Sequence, residues 1–264
     1  MTAQPGNAIV ILQPQFFPWR GVFEQMRLAH EFVHLDDAQF QKGGFTNRVQ
    51  IKTANGSAWL TVPVLRSGAL PPINETEIDY KTPWREKHLR TLRMTYARAP
   101  HVTAMCALVE DLYAEKPRTI AGLNIRALER VAAELKLAPR FSLTSATPVT
   151  TKQTERLIEL LLPRAATQYI TGLGALAYLD EAAFVRREID VRVMEYARTP
   201  YPQLHGPFDP HVSILDLLAN TGSAATSYLV SETLSWRAYA ARAAQQDALA
   251  VQVAERAAFS SDAR

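Results

Sequence analysis

Side chains able to do chemistry gather in a few short stretches. Gln13-Pro14-Gln15-Phe16-Phe17-Pro18-Trp19-Arg20-Gly21 sets two amides, three aromatic rings and an arginine side by side. Amides orient a small molecule and aromatic rings wall it in. A glycine lets a ligand approach a helix start, where free N–H groups favour anions. Gln13, Gln15, Phe16 and Trp19 are therefore candidate binding residues. A second stretch, Asp36-Asp37-Ala38-Gln39-Phe40-Gln41-Lys42 followed by Asn47-Arg48, brings both signs of charge. Asp37 or Asp36 could serve as general base or metal ligand. Neighbouring residues at a strand end point to opposite sides, so one of the two faces the site. Lys42 and Arg48 could hold a phosphate or carboxylate, arginine in two-pronged fashion. Gln39 and Asn47 add amides. A solvated loop with surface ion pairs fits the same mixture.

A third stretch, Tyr169-Ile170-Thr171-Gly172-Leu173-Gly174-Ala175, reads as a strand running into a glycine turn. It lacks the full G-x-G-x-x-G spacing and has no lysine after the glycines, so it is neither a dinucleotide fingerprint nor a P-loop. As a place of close approach it offers Thr171, Gly172 and, further on, Tyr178. Asp180 reads equally well as the cap of the next helix.

Of the six histidines, His30 and His34 match H-E-x-x-H. That motif binds zinc only on a helix, where both rings share one face. Phe32, Val33 and Leu35 favour a strand instead, which spreads the rings roughly 13 Å apart, and no metal site is expected. His88 stands one helical turn after Trp84, as a candidate base or as a satisfied structural ring. The single cysteine, Cys106, lies in an apolar helical run and can form no internal disulfide. No G-x-S-x-G elbow announces a serine nucleophile.

These stretches need elements to position them. Ala8-Ile9-Val10-Ile11-Leu12 is apolar and rich in β-branched residues, as in a strand buried on both faces of a parallel sheet. Gly21 to Ala29 reads as a helix, and Glu31 to Leu35 as a second strand. Strand, helix, strand is a βαβ unit, with its loops at the carboxyl end of the sheet, where ligands bind. Val49 to Lys52 and Ala58 to Val64 form a hairpin around Asn55-Gly56. Helices are expected over Trp84–Tyr96, Val102–Tyr113, Thr119–Leu135, Thr154–Leu162, Glu181–Glu188 and Ser213–Asn220. Further strands are expected at Arg140–Thr144, Gln168–Ile170 and Val191–Tyr196. Ser231 to Phe259 is alanine-rich and reads as one long helix. The reading is thus a domain over 1–230 and a C-terminal helical appendage over 231–264.

Composition sets limits. With 47% hydrophobic and 21% charged residues, the 264-residue chain has material for one large core. The net charge of +3 comes without a dense basic tract, which argues against a general nucleic-acid binder. No stretch reaches membrane-spanning length without charges, and the start has no signal-peptide shape, so a cytoplasmic protein without membrane insertion is expected.

Taken together, the segments resemble the WbqC-like family. The residues that carry the likeness are Ile11 to Pro18, Asp36 to Lys42, Thr46-Asn47-Arg48, Trp59 to Val64 and Trp84 through His88. Tyr169 to Ala175, Tyr178 to Glu181, Tyr201-Pro202-Gln203 and Ser213 to Gly222 complete it. The chain departs from the usual pattern at Gly43, where a second basic residue is common. Phe16 and Trp19 replace tyrosines, and Thr171 replaces a serine. The resemblance implies a Rossmann-like, three-layer α/β domain with a mostly parallel sheet and an inserted hairpin. It also implies a setting in O-antigen, other glycan or specialised-metabolite biosynthesis.

The expected activity is group transfer to a small amine or amino sugar, by N-acyl or aminoacyl transfer. Such chemistry needs a base for the amine and donors for the oxyanion. Asp37 or His88 would be the base; Gln13, Gln15 or Asn47 would polarise the carbonyl. No bound cofactor is expected; the donor would be an activated acyl thioester, with an acyl-carrier protein as its bearer. Two alternatives stand beside this. One is an ATP-dependent ligase or nucleotidylyltransferase, since the opening is loosely similar to Rossmann enzymes of that type. The other is a non-catalytic sugar-nucleotide or partner-binding protein. The C-terminal helix could serve a homodimer.

Overall fold

The computed structural model describes residues 6–65, 68, 70–147 and 149–245. Its elements run in chain order β1 (Ala8–Leu12), α1 (Arg20–Leu28), β2 (Glu31–His34), β3 (Arg48–Thr53), β4 (Gly56–Thr61), α2 (Trp84–Thr95), α3 (Val102–Ala114), α4 (Ile120–Glu134), β5 (Arg140–Leu143), α5 (Gln153–Leu161), β6 (Gln168–Thr171), α6 (Glu181–Val185), β7 (Asp190–Glu195), α7 (Ile214–Thr221) and β8 (Glu232–Ser235). Six strands form one sheet in the order β5-β2-β1-β6-β7-β8. All its pairings are parallel except β7 with β8. Numbered by their turn in the chain, these strands lie 3-2-1-4-5-6, the order of doubly wound nucleotide-binding sheets.

β1 is apolar at every position because both of its faces are covered. Ala8 and Val10 pack into one core with Phe23, Phe32 and Ile170. Ile9 and Ile11 turn to the other face, with Val33, Ile158 and Phe184. The result is three layers. α5 and α6 cover one face, and α1, α4 and α7 contribute to the core on the other. Between β2 and β5 the chain inserts residues 35–139, which hold the β3–β4 hairpin and α2 to α4. The hairpin turns at Thr53 and Gly56, where Gly56 takes φ +98, a conformation glycine adopts without penalty.

One expected element is corrected. The chain from Ser231 is not helical from its first residue: Glu232–Ser235 is β8, paired antiparallel with β7. Thr233 and Leu234 fit a ladder, and Thr233 also accepts from the Arg192 guanidinium at 3.2 Å. Helix begins only at 236 and continues through 245; the rest of the expected helix lies outside the described residues. Among the described residues no helix is long and apolar enough to cross a membrane.

Candidate active site

The strand order reverses at β1, which has β2 on one side and β6 on the other. Ligands of open α/β sheets bind beside the carboxyl ends of strands at such a switch point. β1 releases the chain there into Gln13–Trp19, β2 into Asp36-Asp37, β6 into Thr171-Gly172 and β7 into Tyr196. Neighbouring strands stand about 4.8 Å apart, so the loops after β2 and β6 face each other across roughly 10 Å.

The β1 loop is held under strain. Phe17 is fully buried with φ +39, a region that bulky side chains rarely occupy. Its ring meets Phe16 edge-on at 5.0 Å. From below, Asn124 of α4 fastens the loop. This side chain is 0% exposed, and its amide donates to Pro14 O at 2.8 Å and Thr46 O at 2.7 Å. The Phe16 N–H donates to Phe45 O at 3.0 Å. One buried amide thus ties the first motif loop to the second. The Gln13 and Gln15 side chains are half-buried and have no hydrogen-bond partner among the described residues, leaving them available to a ligand.

On the β2 side, the two aspartates divide their work. Asp36 is buried and accepts from Ser145 N at 3.0 Å and Ser145 Oγ at 2.6 Å, joining the ends of β2 and β5. Asp37 stays 25% exposed. The Thr144 hydroxyl donates to it at 2.5 Å, and Arg156 of α5 pairs with its other oxygen at 2.7 Å. Only Asp37 is therefore both oriented and open.

On the β6 side, Thr171 is buried and Gly172 makes room. A side chain on Gly172 would bring Cβ within 3.3 Å of the Tyr196 hydroxyl. That hydroxyl accepts from Gln25 Nε2 at 2.8 Å. Burial pushes the Tyr196 phenol up to about 12, against the pull of the Gln25 bond, so it remains protonated. Trp19 tilts against Tyr196 at 4.7 Å and against His211 at 5.5 Å. Its indole lies over Gly21, where a Cβ would come within 2.2 Å of the ring. Gly21 thus makes room for Trp19.

Other expected site residues lie elsewhere. Lys42 and Asn47 line a separate cavity of about 320 Å³ with Phe40 and Thr76. Arg48 does not line it; it stacks on Trp59 at 4.1 Å and donates to Gly43 O. Gly43 takes φ +77, which accounts for a glycine where the resemblance expects a basic residue. Gln39 is exposed, and Tyr178 is 53% exposed beyond the turn at Leu173–Ala175.

The structure does not bring His88 to Asp37. Its ring is buried in α2 beside a cavity of about 600 Å³ that Trp59 and Trp84 also line. Nε2 lies 3.1 Å from Thr61 O and must donate to it; Nδ1 then accepts from the Tyr113 hydroxyl at 2.9 Å. With its free lone pair occupied, the ring is a structural post. Glu31 and His34 are the first and last residues of β2, with His30 just before it, and Glu31 binds Arg140, Arg164 and Ser142. Sequence reasoning missed Gln25, Asn124, Thr144, Ser145, Arg156 and Tyr196. Each is an ordinary polar residue inside a helix or strand-end segment, without local spacing to mark it.

The family model described as WbqC-like protein family matches residues 13–228. The chain is similar to the uncharacterized protein Rv1507c of Mycobacterium tuberculosis. The two are 37% identical over 224 residues, covering 84% of this chain and 96% of that protein. No solved structure matches. The matched stretch takes in β2, β6 and β7 and every loop described at the carboxyl edge, and the chain belongs to the WbqC-like protein family.

Proposed function

We propose that this protein transfers an acyl or aminoacyl group to a small amine or amino sugar, within glycan or specialised-metabolite biosynthesis. One observation carries the reading. Asp37, an oriented and partly open carboxylate, follows β2, and the unengaged amides Gln13 and Gln15 follow its paired neighbour β1. The amine nitrogen attacks the donor's carbonyl carbon and forms the new C–N bond. Gln13 and Gln15 donate to the oxygen as it becomes negative. Asp37 takes the proton that the nitrogen must lose, and the donor's thiolate departs. The donor is a small thioester or one borne by an acyl-carrier protein. His88 has no part in this assignment.

The test is turnover of acyl thioesters with amino sugars, led by the identity of any ligand retained through purification. Asp37→Asn is expected to lower kcat by about 10²- to 10⁴-fold. An undiminished rate removes the assigned base.

A second reading rests on the strand order 3-2-1-4-5-6. It makes the protein an ATP-using ligase or nucleotidylyltransferase, with Lys42 over its own cavity as the phosphate contact. Saturable binding of magnesium-ATP, lost in Lys42→Ala, would favour it. Absence of binding at millimolar nucleotide would exclude it.

A further inference from the structure

Beside the switch point, a cavity of about 380 Å³ opens at the carboxyl end of β7. That volume suits a small molecule. Tyr196, described above at the sheet edge, lines it together with Leu173. Leu234, Tyr239 and Arg242 line it as well. Those three residues lie after residue 228, beyond the part of the chain that the family model covers. The helical segment 236–245 thus acts as a roof over the outer end of the sheet edge. Arg242 holds it there by pairing with Glu195 of β7, and Trp236 packs against the core beneath.

The charges in this cavity do not balance. Glu195 is matched by Arg242, whereas Arg198 has no acidic partner among the described residues. Arg198 is exposed and takes φ +50, a conformation a non-glycine residue holds at a cost and often near a ligand. Two phenol rings, Tyr196 and Tyr239, line the same cavity as the unmatched guanidinium. Arginine of this kind binds a carboxylate or phosphate in two-pronged fashion, and aromatic rings suit a planar or ring-shaped body.

We infer that this cavity is the subsite that selects the substrate, taking the oxyanion group, carboxylate or phosphate, of a ring-bearing small molecule onto Arg198. The inference deepens the transfer reading by naming a substrate class. Three strand spacings separate β7 from β2, so the anionic end sits roughly 14 Å from the Asp37 side of the edge. The substrate therefore carries its anion well away from its reacting group.

Binding to the full chain tests this without any turnover, so its failure is distinct from failure of the Asp37 assignment. The probes are phenyl phosphate, benzoate and phenol, followed by tryptophan fluorescence and NMR. One of the two anions is expected to bind saturably, and which of them does identifies the oxyanion; phenol is not expected to bind. Arg198→Gln and Tyr239→Ala are each expected to weaken that binding about tenfold or more. Arg198 is exposed, so Arg198→Gln should melt at the parent temperature. Saturation by neither anion, or equal affinity in the parent and both variants, overturns the subsite.

Discussion

Ser213 donates its hydroxyl proton to Phe17 O at 2.8 Å and, with the same oxygen, accepts from Leu215 N at 3.2 Å. A helix cap therefore doubles as the clamp on the strained β1 loop. Two backbone bonds reinforce the joint, Ser213 N to Gln50 O at 2.9 Å and Ile214 N to Pro18 O at 2.8 Å. Ser213→Ala should cost about 2 kcal/mol, since it loses a cap and a buried hydrogen bond. That lowers the melting temperature roughly 4–8 °C. Ser213→Asp separates the two roles, because a carboxylate can cap Leu215 but cannot donate to Phe17. Equal melting of parent and Ser213→Ala would show that the clamp holds nothing.

Asn124 is the second fastening of the same loop. Asn124→Leu keeps the volume but leaves Pro14 O and Thr46 O buried without a donor, at about 1–3 kcal/mol each. Both motif loops should loosen together. Hydrogen exchange should speed at Phe16, whose N–H is bonded to Phe45 O, and not at Val10 in the sheet centre. Unchanged exchange at Phe16 would count against the coupling.

His88 makes stability depend on pH. Burial draws its pKa down to about 4; the Thr61 carbonyl bond opposes this and the Lys87 charge adds to it. A histidine in the unfolded chain titrates near 6.5. Between those values the unfolded chain holds a proton that the fold excludes. Stability is thus complete above about pH 6.5 and is lost as pH falls toward 4, by on the order of 3 kcal/mol. Urea midpoints at pH 7.5 and 4.5 would measure it. His88→Gln should flatten that slope, and an equal slope in parent and variant would refute it.

Asp216 anchors α7 from within. It is 0% exposed and accepts from Tyr96 at 3.0 Å, Tyr201 at 2.8 Å and Gln203 at 2.9 Å. Lys52 adds a bond to Gln203 Oε1 at 2.8 Å. Burial raises the Asp216 pKa, and these partners and the Lys52 charge oppose the rise. Asp216→Ala strands two hydroxyls and an amide, so a loss of at least about 3 kcal/mol is expected. Asp216→Asn should retain part of it. Denaturant midpoints in that order would bear this out; a neutral Asp216→Ala would not.

Much of the frame was readable because periodicity reports burial. The apolar run of β1, the Asn55-Gly56 turn and Ser213 as helix cap each announce themselves locally. β8 did not, because Glu232-Thr233-Leu234-Ser235 runs into an alanine-rich helix and owes its strand form to the edge of β7. The site divides along the same line. The loops after β1, β2 and β6 could be named, since strand ends fix them. That His88 faces Tyr113, while Thr144 and Arg156 face Asp37, depends on residues 25 and more than 100 positions apart. No local spacing encodes such pairings.

β2 and β5 lie side by side, yet residues 35–139 separate them in the chain. Closing so long an excursion delays that pairing relative to β1 with β2. Ser145 can then reach Asp36, and Thr144 can reach Asp37. The carboxylate proposed for proton transfer thus owes its orientation to a partner that only this long-range closure delivers, and a chain holding the local β1–α1–β2 unit alone would leave Asp37 unoriented.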